Sequence, residues 1–192
     1  TESTEKQYFY MYPVSPLDYY EAEDLIDWGA ANDFMKEAFE YVVAALGKII
    51  DILFVSTDDP LQLNTITLST NTQDDSAAYA LPPSSVKDSL VYRSSDIFID
   101  ADYDQPSITE PNYDLEAIVH ELGHALGLKH TFSDADAYDQ IAEGPYLENE
   151  SEENTDWTMM SYTDGDSVYS ANFAPFDIAA LQYIYGVAAD AN

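Results

Sequence analysis

The sequence contains no cysteine. Disulfides, thiol catalysis and Cys-ligated metal centres are therefore excluded. Basic residues are scarce: six Lys and Arg face 37 Asp and Glu, for a formal net charge of −31. A nucleic-acid partner is not expected, because the phosphate backbone would be repelled; an anionic membrane surface is disfavoured for the same reason. No apolar run is long enough to span a bilayer, and no internal repeat is present. Histidine occurs only three times.

What is present points to a folded globule. The chain has 192 residues, 46% of them hydrophobic and 14% aromatic, enough for a sizeable core and unlike a disordered acidic tail. The acidic excess favours solubility but strains the compact state by self-repulsion, which salt screens. It fits a saline (halophilic) habitat, a preference for cationic substrates, or a solvated face with no specific role. The sequence opens at Thr1 without a basic-then-apolar leader, so any signal or pro-segment is expected to lie outside it.

Residues Tyr8 to Tyr12 read as a short aromatic strand, and Pro13 and Pro16 punctuate the loop after it. Asp18 to Gly29 is ambiguous, with some helical character. From Asn32 to Leu46 the pattern is helical: Met35, Phe39, Val42 and Leu46 share one face, Asn32 serves as N-cap and Gly47 as stop. Ile49 to Val55 reads as a buried strand, Thr65 to Thr70 as a second, Ser76 to Leu81 as an edge strand ended by Pro82 and Pro83, and Ile97 to Ile99 as another. A second helix is predicted from Asn112 or Asp114 to about Gly127, and a last one from Pro175 or Phe176 to Tyr185. Thr131 to Thr155 is acidic and loop-rich. This order predicts an α+β chain, a mixed twisted sheet backed by helices and followed by a smaller irregular lobe.

The chemistry is concentrated in His120-Glu-Leu-Gly-His-Ala-Leu-Gly-Leu-Lys-His130. His120 and His124 lie four apart on a helix, so both imidazoles project from one face and can meet one metal ion. Glu121 lies beside that face, within reach of a water at the metal without being a ligand. His130 would point the other way on a continuing helix. It joins the metal only if the helix breaks, and Gly127 can supply the break. Three neutral His ligands leave a fourth position open, as in a catalytic zinc centre. The alternative, three ordinary helix residues, has to explain why every His in the chain falls on the motif.

These residues, with a methionine downstream, resemble the metzincin zinc metallopeptidases. Thr158-Met159-Met160-Ser161-Tyr162 is similar to the Met-turn of the serralysins. The resemblance implies a metzincin-like catalytic domain with a twisted mixed five-stranded sheet, two long helices and a C-terminal lobe ending in a helix. It implies an upper lobe of about residues 1–127 and a lower lobe of about 128–192 within one domain. It also implies that Met160 packs beneath a Zn2+ held by His120, His124 and His130, that Glu121 is the catalytic base, and that Tyr162 swings to stabilise the transition state. Phe176 to Gly186 looks like the C-terminal helix of serralysins and matrixins. Tyr79, Ala80 and Leu81 resemble the substrate-pairing edge strand of that clan, where an extended peptide binds by strand addition.

Two departures blur the subfamily. Serralysins usually carry Pro after the third His, where this chain has Thr131. The Gly- and Asp-rich calcium repeats that follow serralysin catalytic domains are not in this sequence, so a stand-alone or trimmed domain is expected. Calcium is a second candidate ion: Asp100-Ala-Asp102-Tyr-Asp104 alternates like a calcium loop, and Asp134, Asp136 and Asp139, and Asp164 with Asp166, are similar clusters. The resemblance implies a secreted, monomeric zinc endopeptidase acting on protein or peptide substrates. The other reading is a non-catalytic metal-binding or adhesion module on a metzincin fold.

Overall fold

The apolar stripe of Met35, Phe39, Val42, Val43 and Leu46 becomes the buried face of helix α1 (Asp33–Leu46) in the computed structural model, which describes residues 6–84, 94–132, 146–147, 149, 151–166 and 169–189. Asn32 caps it: its side-chain oxygen accepts from Met35 N at 3.0 Å. Its amide nitrogen donates to the carbonyl and carboxylate of Asp104, at 2.7 and 2.9 Å. Gly47 ends the helix with φ −61°, so its left-handed freedom is not used.

The strands are β1 (Gln7–Met11), β2 (Gly29–Ala30), β3 (Leu53–Ser56), β4 (Thr65–Asn71), β5 (Ala78–Ser84) and β6 (Ser94–Asp100). They form one sheet ordered β3-β1-β4-β6-β5, with β2 also paired to β4. β1 runs parallel to β3 and β4, and β4 parallel to β6. The edge strand β5 is antiparallel to β6. The sheet thus has six strands rather than five. The extra one, β2, pairs Gly29 with Thr70 and Ala30 with Ser69, beyond the Met11–Thr67 pair where β1 leaves off. The rest of the ambiguous Asp18–Gly29 stretch forms turns, not a helix.

Two further boundaries differ from expectation. Ile49 to Ile52 is a connection rather than the start of a strand: Ile49 and Ile50 N–H groups both return to Leu46 O, Ile50 makes an isolated bridge to Val187, and pairing within the sheet begins at Leu53. Ile50 and Ile52 are nonetheless buried in the core, so a continuous apolar run here reports burial, not extension. Strand β5 runs through Pro82 and Pro83 to Ser84, with an irregular register between Leu81 and Ser84. An edge position tolerates prolines because the outward N–H needs no partner.

One face of the sheet, carrying Ile66, Leu68, Ile97 and Ile99, packs on α1 and on α2 (Tyr113–Ala125), whose Leu115, Ile118, Val119 and Leu122 complete the core. Burying each such side chain stabilises by about 1.5–3 kcal/mol. α3 (Pro175–Tyr185) joins this core through Leu181, and the Tyr185 hydroxyl donates to Leu126 O at 2.7 Å. The opposite sheet face is buried but polar. Tyr20 packs on Phe98 and meets Thr67 Oγ1 at 3.1 Å. Asp96 accepts from Thr67 Oγ1 at 2.6 Å and from the Tyr19 hydroxyl at 2.9 Å. Burial, with Asp24 nearby, holds the Asp96 carboxyl above its usual range despite those bonds.

Candidate metal centre

Helix α2 starts at the Asn112 cap, whose side chain accepts from Leu115 N, and carries His120 and His124 one turn apart. It ends in a two-bond C-terminal lock. Leu128 N donates to Gly123 O and Gly127 N to His124 O, both at 2.9 Å, around Gly127 at φ +95°. Only glycine takes that conformation without strain. The chain then turns back and delivers His130, as the sequence requires. The same turn points Leu128 O at His124 Nδ1, 3.0 Å away.

The three Nε2 atoms converge. His120 and His124 are 3.1 Å apart, His124 and His130 3.1 Å, and His120 and His130 3.2 Å. Two backbone carbonyls define the tautomers: His120 Nδ1 donates to Met159 O at 2.6 Å and His124 Nδ1 to Leu128 O. The Nε2 atoms of both rings therefore carry lone pairs, and they face each other. Burial and the two neighbouring imidazoles push His120 down to about 3, which keeps that ring neutral. A cation at the centre of the triangle would relieve the repulsion between these lone pairs. Tetrahedral zinc with bonds of about 2.0–2.1 Å sets its nitrogens about 3.3 Å apart, close to the spacing found. Neutral imidazole is also the donor zinc prefers. Among the described residues this is the one group of three or more His or acidic side chains placed to hold a metal ion.

Around the triad lie the other sequence candidates. Glu121 is buried and lines a cavity of about 630 Å³ together with His120, Tyr162, and Ala77 and Ala78 at the start of β5. Tyr162 is 66% exposed. Its ring lies 5.6 Å from that of His120 and 4.7 Å from that of His130, centroid to centroid. Met160 is buried beneath α2: a Cβ on Gly123 would stand 2.5 Å from its sulfur. The Tyr79 side chain turns away from the helices. It stacks on Phe98, and its hydroxyl donates to Asp24 at 2.7 Å, leaving Ala78 and Ala80 on the core side. Asp100 and Asp104 are engaged in backbone and side-chain bonds: Asp100 accepts from Gln73 N and Asp102 N, and Asp104 from Asn32 and Gln105. Asp134, Asp136 and Asp139 lie outside the described residues.

Three contributors were not singled out in the sequence. The buried carboxylate of Asp177 accepts from Thr158 Oγ1 at 2.8 Å, Met159 N at 2.7 Å and Ala174 N at 3.0 Å. Burial raises its pKa, against the lowering effect of these bonds. Phe132 stacks on His130, with centroids 5.0 Å apart and planes within 12°. Gly123 makes room for Met160. Its signal was available, since a glycine inside a helix costs about 1 kcal/mol relative to alanine and so invites a packing reason.

Residues 85–190, more than half of the chain, match the model of the M12B reprolysin-like metallopeptidases, and the chain belongs to that family. It is also similar to the serralysin of Photorhabdus laumondii, 28% identical over 174 residues, covering 83% of this chain and 35% of that protein. The serralysin of Proteus mirabilis is 34% identical over 97 residues, 45% of this chain and 19% of that protein. This chain thus spans about a third of the length of the Photorhabdus relative. Both findings place it among metzincin-type metallopeptidases.

Proposed function

We propose that this chain is the catalytic domain of a zinc-dependent endopeptidase, which hydrolyses peptide bonds in proteins or peptides outside the cell. The observation that carries the reading is the triangle of converging Nε2 atoms, with two of the rings oriented at Nδ1 by carbonyl partners, beside the buried Glu121. Zinc bound there would polarise the scissile carbonyl and lower the pKa of a water to about 7.

The residues then divide the work. Glu121 holds the attacking water, takes its proton and passes it to the leaving amine. The Tyr162 phenol donates a hydrogen bond to the oxyanion that develops on the carbonyl. Met160 and the backbone of Met159 hold the imidazoles from below. An extended peptide pairs with the backbone of Tyr79, Ala80 and Leu81 on β5, in a cleft between a lobe of about residues 1–127 and one of about 128–192. Because the Tyr79 side chain is engaged with Asp24 and Phe98, that pairing involves backbone groups there.

The test is cleavage of a mixed peptide library by the metal-loaded protein, with and without a chelator. Internal cleavage that the chelator abolishes and stoichiometric zinc restores is expected. No chelator-sensitive cleavage of any peptide would favour a non-catalytic metal-binding or adhesion module instead.

A further inference from the structure

Glu153 spans two segments that the proposed reaction needs in register. Its Oε1 accepts from Thr131 Oγ1 at 3.2 Å, and its Oε2 from Thr163 Oγ1 at 3.1 Å. Thr131 follows His130 directly, and Thr163 follows Tyr162 directly. One carboxylate therefore clips the residue after the third imidazole to the residue after the phenol. The same segments are also linked by Thr131 N donating to Met160 O at a longer 3.4 Å. Glu153 is itself placed by its N–H to Asn149 O at 3.1 Å.

Tyr162 has need of such a clip. With two thirds of its surface exposed, burial does not fix its ring. Its neighbours are the rings of His120, His130 and Phe132, the last at 4.9 Å. Those rings restrain it only while the Tyr162 and His130 segments keep their spacing. Hydrogen bonds to an ionised carboxylate are the stronger kind, and two of them from one rigid planar group fix a distance. The clip also gives Thr131 a reason: the donor to Glu153 is a side-chain hydroxyl, which a proline at this position would lack.

We infer that Glu153, through Thr131 and Thr163, is a positioning residue that holds the Tyr162 phenol in register with His130. The inference rests on the proposed role of Tyr162 as oxyanion donor. Glu153 touches none of the three imidazoles through these bonds, so it acts on the turnover step and not on metal capture. A misplaced reacting group costs up to about a hundredfold in rate.

The experiment compares Glu153→Ala, Glu153→Gln, Tyr162→Phe and the Glu153→Ala/Tyr162→Phe double variant, measuring kcat and KM separately and zinc affinity by chelator competition. Glu153→Ala is expected to lower kcat roughly tenfold to a hundredfold with KM and zinc affinity little changed. Glu153→Gln, whose amide can still meet both hydroxyls, recovers most of it. In the Tyr162→Phe background, Glu153→Ala has no further effect, since coupled residues are non-additive. If Tyr162→Phe is slow but Glu153→Ala is not, the inference fails while the role of Tyr162 stands. If Tyr162→Phe turns over normally, both fail. Equal losses in the two backgrounds, or a loss of zinc affinity, would make Glu153 merely structural and overturn the inference.

Discussion

The backbone of Met159 is held at both ends: its N–H donates to Asp177 at 2.7 Å, and its carbonyl accepts from Nδ1 of His120 at 2.6 Å. The orientation of the first imidazole is therefore relayed from a carboxylate on another helix. Partners of this kind commonly change metal affinity by 10–100-fold. Asp177→Ala should lower zinc affinity by about that factor and stability by about 2–5 kcal/mol, because it leaves buried donors unsatisfied. Chelator competition and urea unfolding measure the two effects. Wild-type affinity in a folded variant would show that the relay does not matter.

Gly123 sets helix propensity against packing. Propensity alone predicts that Gly123→Ala stabilises by about 1 kcal/mol. The added Cβ, however, meets the buried Met160 sulfur at 2.5 Å and Phe173 at 3.3 Å. Overpacking of this kind costs about 1–3 kcal/mol, so the variant is expected to be less stable in urea. A more stable variant would mean that Met160 is free to move aside.

Asp96 gives a pH signature. Its folded pKa is raised, chiefly by burial. The sign follows: its contribution to stability is fully present below the unfolded value, about 3.9, and is lost as pH rises through the folded value. Asp96→Asn keeps an acceptor for Thr67 and Tyr19 without the buried charge. The variant should be more stable than wild type at pH 7, with the advantage shrinking as the pH falls through the carboxylate range. Urea unfolding from pH 4 to 7 measures this. A variant that is less stable at pH 7, with an unchanged pH profile, would contradict it.

The charge of −31 predicts a salt response. The ion pairs Lys6–Asp51 and Lys36–Asp33 both have exposed carboxylates, and six basic residues cannot neutralise 37 acidic ones. Screening should therefore raise Tm as sodium chloride increases from low to near-saturating concentration. A flat or falling Tm would remove self-repulsion as the explanation.

Local rules made parts of this molecule legible in the sequence. The Asn32 cap, the face of α1 and the four-residue spacing of His120 and His124 are set by helix geometry within a few residues. So is the break at Gly127, which depends on one backbone angle. Features decided at long range were not legible. β2 exists because β4 has an unpaired length beyond Met11, not because Gly29 and Ala30 favour strand. Ile49 to Ile52 carries the apolar signal of a strand but is a connection that buries Ile50 and Ile52. The bonds of Asp177 to Thr158 and Met159 come from folding α3 onto the Met159–Met160 turn. Phe132 and Glu153 sit in or beside an acidic loop without a pattern, and their contacts to His130 and Thr131 become visible only in three dimensions.

In the proposed mechanism Glu121 moves the proton at a zinc held by three histidines. Glu121→Gln preserves size and removes the base. Zinc content and cleavage of a peptide substrate should be measured on the same purified sample. One zinc per chain and cleavage reduced by about 10²–10⁴-fold are expected; retained zinc with undiminished cleavage would contradict the proposed role of Glu121.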